Sequence, residues 1–183
     1  ANVLYGHSNT HKISLNNILQ HSTSVKMGIK KSLLVVDMPK GSYNNIKAAQ
    51  KNAKLVMNKT RCDAIKIENK GDNYKIIQSL VKRKIPVMGH IGYTPQFKKK
   101  FKIEGDSTQD KLKLLKEAKS IEKAGAFSIV LECISPKTAK LITQELDIPT
   151  IGIGSSSYCD GQILVTDDML GISGFYPKFV KKY

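Results

Sequence analysis

Arginine is scarce in this strongly basic chain. Of the 30 Lys and Arg residues only Arg61 and Arg83 are arginines, against a formal net charge of +15. A surface that reads bases or phosphates favours arginine's bidentate fork and clusters it among aromatics. The 28 lysines instead spread over nearly every expected helix, with short runs at Lys98-Lys99-Lys100 and Lys181-Lys182, so the pattern argues against a nucleic-acid partner. No apolar run is long enough to span a bilayer and no signal-peptide pattern is present, so the expectation is a cytoplasmic chain with no membrane partner. Cysteine is also rare: Cys62, Cys133 and Cys159 are odd in number, have no metal-ligand spacing, and read as free thiols in a reducing compartment. No Gly-x-Gly-x-x-Gly turn follows the first expected strand, and Gly152-Ile153-Gly154 is not one, which removes support for dinucleotide binding. There is no initiator methionine before Ala1, which allows processing or a fragment.

What remains is enough for one core: 183 residues, 40% of them hydrophobic, read as a single domain over 1–183. After an opening with an extended piece at Val3-Leu4-Tyr5, Ser14 caps a helix carrying Leu15, Ile18, Leu19 and Val25 and stopped by Gly28. Strands are expected at 32–37, 64–68, 85–90, 127–132 and 148–154, with a short sixth at Ile163-Leu164-Val165. Helices alternate with them: about 44–58, one carrying Ile76, Ile77, Leu80 and Val81, one through Leu112, Leu115, Ala118 and Ile121 to Gly125, and one from Ser135-Pro136 to about Leu146. Strand-helix alternation allows a doubly wound sheet or a TIM barrel. Polar residues at the ends of successive strands favour the barrel, although six strands fall short of eight.

The run Ala64-Ile65-Lys66-Ile67-Glu68 organises the chemistry. A strand's period of two puts Lys66 and Glu68 on one face, and charges on a buried strand must pair, hold a metal or line a site. Asp37 and Glu68 end neighbouring strands, where their carboxylates can converge on a hard cation such as Mg2+. Lys66 can neutralise a substrate carboxylate or hold those acids, and Glu132, two strands away, can act as a general base. Together they describe an enolising site for a 2-oxo acid. A plain Lys66–Glu68 ion pair is the bland alternative. His90 between glycines reads as a hydrogen-bonded structural histidine near the pocket, and Cys133 as packing. His7, His11 and His21 show no metal-site spacing.

The runs Leu34-Val35-Val36-Asp37-Met38-Pro39, Ile65-Lys66-Ile67-Glu68, Gly89-His90-Ile91-Gly92-Tyr93-Thr94-Pro95-Gln96, Leu131-Glu132-Cys133 and Asp160-Gly161-Gln162-Ile163-Leu164-Val165 resemble ketopantoate hydroxymethyltransferases, in order and over essentially the whole chain. The resemblance implies a TIM (β/α)8 barrel of the phosphoenolpyruvate mutase/isocitrate lyase type, incomplete in this chain. It also implies hydroxymethyl transfer from 5,10-methylenetetrahydrofolate to 3-methyl-2-oxobutanoate in pantothenate biosynthesis, with Mg2+, in a homo-oligomer that is commonly a decamer. Carried over by motif, Asp37 binds metal and substrate, Lys66 binds substrate, Glu68 binds metal and Glu132 is the proton acceptor, with His90 near the pocket.

Departures from the family pattern accompany it. The family's Asp-Ser pair, which ends a strand lying before Ala1 and supplies another metal ligand and a substrate contact, is absent, and further C-terminal helix is expected beyond Tyr183. Asn69-Lys70 stands where two glycines are expected, Lys40 where an apolar residue is, Ser155-Ser156 for Ala-Gly, and Asp106 for arginine. Loss of such glycines can narrow the folate side. An inactive barrel remnant or subunit, and a Mg2+-dependent lyase or mutase on another 2-oxo acid, are the alternatives.

Overall fold

The computed structural model describes residues 2–7, 9–98, 100–174 and 177–180. Its elements are α1 (Asn2–Tyr5), α2 (Leu15–Gly28), β1 (Val35–Asp37), α3 (Ile46–Thr60), β2 (Ala64–Glu68), α4 (Asn73–Val81), β3 (Val87–Gly92), α5 (Thr108–Lys123), β4 (Ser128–Glu132), α6 (Pro136–Glu145), β5 (Thr150–Ile153), β6 (Gly161–Gln162) and α7 (Thr166–Met169), with a 3-10 turn at Thr10–Lys12. All six strands are parallel and lie in sequence order, β1 to β6. A doubly wound sheet reverses its strand order at a switch point. Here nothing reverses, which is the wall of a barrel.

One side of the wall is apolar. Ile65, Ile67, Ile91, Ile129 and Leu131 alternate to the outer face and pack beneath Ala49, Ala53 and Val56 of α3, Ile77 and Leu80 of α4, Ala118 and Ile121 of α5 and Ile142 of α6. Each fully buried aliphatic side chain contributes about 1.5–3 kcal/mol over an exposed one. With outward positions committed to packing, period two turns Lys66, Glu68, His90 and Glu132 to the inner face.

Local signals act as the residues dictate. Ser14 and Asn17 form a capping box on α2, Asn45 and Ser107 cap α3 and α5 with their side chains, and Pro136 is in the first turn of α6. The Ser135 hydroxyl caps nothing and donates to the Gly105 carbonyl instead.

Several expectations move. Val3-Leu4-Tyr5 is helical, within α1, and the Tyr5 hydroxyl meets His21 and Asn17 of α2. The sixth strand is Gly161–Gln162, one turn of ladder before Ile163-Leu164-Val165. On α5 Ala118 and Ile121 are buried and Leu115 packs against the core as expected, but Leu114 joins them and Leu112 is 60% exposed. Val25, spaced with Leu15, Ile18 and Leu19 on α2, is also exposed.

Candidate active site

Asp37 ends β1, Lys66 and Glu68 lie on β2, His90 on β3, and Glu132 ends β4. The register sets Asp37 beside Lys66, Glu68 beside His90, and Gly92 beside Glu132. The polar row therefore climbs two residues from Lys66 to His90 and two more from His90 to Glu132. Barrel strands tilt against the axis, so a diagonal in the sheet is a row at common height around the barrel.

The contacts follow that diagonal. Lys66 Nζ is 2.9 Å from Asp37 Oδ1 and 3.1 Å from His90 Nδ1. An ammonium only donates, so Nδ1 accepts and the ring proton is on Nε2, which donates to the Tyr93 carbonyl at 3.1 Å. Glu132 Oε2 lies 3.1 Å from the same Nε2. Burial, reinforced by Lys66, holds His90 well below the usual imidazole range, so the ring is a neutral link between a cation and a carboxyl group. The alternative of a plain Lys66–Glu68 ion pair does not form among the described residues; Lys66 pairs with Asp37.

Glu68 is 1% exposed. Burial pushes its carboxyl up to about 8, against Lys66 and with help from the Asp37 carboxylate. Oε2 accepts the Gln96 backbone amide at 3.0 Å. Gln96 itself donates from Nε2 to the Met38 carbonyl at 2.9 Å and accepts the Tyr43 hydroxyl at 2.7 Å. This clamp from the β3–α5 loop escaped sequence reasoning, which used Tyr93-Thr94-Pro95-Gln96 as part of a family motif and gave Gln96 no role. Glu132 is pushed by burial up to about 7, with Lys66 opposing.

Two features fix the end of β4. Gly92 has φ +93°, and a Cβ there would lie 2.2 Å from the Glu132 carbonyl oxygen, so only glycine fits. Cys133, next to Glu132, adopts φ +52°, an uncommon conformation for a side-chain-bearing residue. Its thiol is buried, and burial raises it to about 12, consistent with packing. Cys62 and Cys159 are likewise free and buried.

A cavity of about 290 Å³ opens over Asp37 and Gln96, walled by Leu4, Ile13, Ile18 and Lys40. Lys40 Nζ approaches His11 Nδ1 at 3.4 Å, and His11 Nε2 contacts the Pro95 carbonyl. Among the described residues no group of three or more His, Cys, Asp or Glu side chains is placed to hold a metal. Asp37 and Glu68 still suit a hard divalent cation, which needs only one or two carboxylates beside water and substrate. Asp37 Oδ1 is buried without a hydrogen bond despite its nearness to Lys66, and Glu68 is a buried acid that an adjacent cation would ionise.

Comparison with known proteins identifies the family. The model of the family described as ketopantoate hydroxymethyltransferase matches residues 1–183. The chain belongs to that family. Over its whole length it is 50% identical to the 3-methyl-2-oxobutanoate hydroxymethyltransferase of Pelagibacter ubique, spanning 71% of that protein. It is 46% identical to the enzyme of that name from Anaplasma marginale and 42% to that from Pyrococcus furiosus, spanning 66% and 65% of them and aligning over 98% and 99% of its own length. The chain also superposes on 2,3-dimethylmalate lyase with TM-score 0.64 and 13% identity, covering 86% of this chain and 58% of the other, and on oxaloacetate acetylhydrolase with TM-score 0.62 and 10% identity, covering 82% and 55%. The former is a member of the phosphoenolpyruvate mutase/isocitrate lyase superfamily, and at this identity the likeness shows the fold: an incomplete barrel of that type.

Proposed function

We propose that this chain binds 3-methyl-2-oxobutanoate at the inner strand ends, removes its C3 proton, and joins C3 to the one-carbon unit of 5,10-methylenetetrahydrofolate, as a homo-oligomer in pantothenate biosynthesis. The names of its relatives support the reaction, and the diagonal Lys66–His90–Glu132 supports the first step. A base of the right strength must be held beside the substrate. Glu132, raised to about 7 and lodged against the neutral His90 ring, meets that need at neutral pH.

In this reading Asp37 and Glu68 hold Mg2+. The bound ion supplies Lewis acidity to the 2-oxo group. Lys66 attracts the substrate carboxylate while keeping Asp37 in place, and His90 fixes the Glu132 carboxylate through its Nε2 edge. Glu132 accepts the C3 proton. The apolar walls Leu4, Ile13 and Ile18 suit a branched alkyl group and keep bulk water from the reacting carbon. Lys70, in place of a glycine, projects over the Phe97 ring at 5.1 Å, so the loop after β2 is filled on the side where folate is expected.

Exchange of the C3 hydrogen of 3-methyl-2-oxobutanoate with D2O, followed by NMR, tests the proton transfer apart from the folate step. Mg2+-dependent exchange lost by at least about a hundredfold in Glu132→Gln is expected. Equal exchange in both proteins would remove Glu132 from the proposed role.

A further inference from the structure

A second cavity, of about 260 Å³, lies on the other side of β3. Asn69 and Lys70 from the loop after β2, Phe97 and Lys98 from the loop after β3, and Lys113 and Glu117 from α5 contribute to its lining. Ile91 also faces it, whereas the neighbouring His90 faces the active site, so the strand separates the two.

The polar groups of this cavity are incompletely matched. Lys98 is engaged, donating to the Gly92 carbonyl at 2.8 Å and pairing with Glu104 at 3.0 Å. Lys70 rests over Phe97, and neither it nor Lys113 has an anionic partner among the described residues; Glu117 has no cationic one. Asn69 is 8% exposed, and its side-chain Oδ1 is buried without a hydrogen bond. Its backbone amide is used, donating to the His90 carbonyl at 2.8 Å. A buried carboxamide oxygen without a partner is costly and calls for one.

We infer that this cavity binds a small carboxylate that also carries a hydroxyl or amino donor. Two free ammonium groups recruit the carboxylate. The free Glu117 carboxylate and the carboxamide oxygen of Asn69 require hydrogen-bond donors, which a simple carboxylate lacks. A simple ammonium would face Lys70 and Lys113 unshielded. The class that satisfies both sets is a hydroxy or amino acid. Occupancy would bear on the active site through the β3–α5 loop, where Gln96 holds Glu68 and the next two residues line the cavity.

Calorimetric titration of the full chain with glycerate, propanoate and inorganic phosphate tests this. Saturable glycerate binding is expected, with propanoate and phosphate each at least about tenfold weaker. Lys113→Gln, at an exposed helical position that folding does not depend on, and Asn69→Ala each weaken glycerate by about fivefold or more. Asp37→Asn, across β3, leaves it unchanged. Absence of saturable glycerate binding, or propanoate or phosphate binding as tightly, overturns the assignment. So does loss in Asp37→Asn with retention in Lys113→Gln, which would place the ligand in the active site.

Discussion

Glu68→Gln should reverse part of the pH dependence of stability. The folded carboxyl is raised from its ordinary 4.5 to about 8 by burial. A group whose folded pKa exceeds its unfolded one contributes its stability fully below the unfolded value and loses it as pH rises through the folded value. At about 1.4 kcal/mol per pH unit, the span from 4.5 to about 8 amounts to about 5 kcal/mol in the metal-free chain, about a third or more of a domain's usual margin. Glutamine keeps an oxygen for the Gln96 amide but cannot ionise, so it removes that slope. Urea unfolding followed by circular dichroism, with chelator, should show the native chain losing several kcal/mol relative to the variant between about pH 5 and pH 8.5. Added Mg2+ should restore much of the loss in the native chain and little in the variant, because binding only the folded state stabilises it. Parallel pH profiles for the two proteins would refute the claim that Glu68 is buried as a protonated acid.

The C3–H exchange rate should rise with pH and level off above about 7, since Glu132 must be ionised to accept a proton and its carboxyl is raised to about 7; a flat profile from about pH 5 to pH 8 would mean that another group takes the proton. Gly92→Ala should destabilise by about 3 kcal/mol or more in thermal or urea unfolding, because its Cβ would meet the Glu132 carbonyl oxygen at 2.2 Å and Ile134 Cγ1 at 2.8 Å at φ +93°; a loss below about 1 kcal/mol would show that the end of β4 yields easily.

Much of this was legible in residue pattern because burial leaves few choices. The run Ala64–Glu68 is a strand with the expected bounds, and the placement of Asp37, Glu68 and Glu132 at strand ends followed from polar residues closing apolar runs. Register was not legible. Period two tells which face a residue takes but not its height against the next strand, so the sequence left Lys66 free to pair with Glu68 and His90 to be merely structural. Once β2 and β3 are set with Glu68 beside His90, Lys66 faces Asp37 on one side and the imidazole on the other. Gln96 was illegible for a different reason: its role depends on where the β3–α5 loop folds back, which no periodicity encodes. The first turn of α5 shows the same limit in a helix, where three leucines in four positions support two faces and only tertiary packing chooses Leu114 over Leu112.

The residue that sets the height of His90 is its smaller neighbour. Gly89 points to the outer face, and a Cβ built on it would lie 2.4 Å from Ile121 Cγ2. The missing side chain is what lets α5 press directly on β3 at the level of the imidazole. A helix seated against the bare backbone resists sliding of that strand, since any shift would drive a neighbouring Met88 or His90 position toward a gap shaped for hydrogen alone. The inner face then inherits a fixed register: His90 stays level with Glu68 and one step between Lys66 and Glu132. Gly89 thus admits the helix behind β3 and Gly92 admits the turn at its end, each by omitting a side chain for which the surrounding packing has no room.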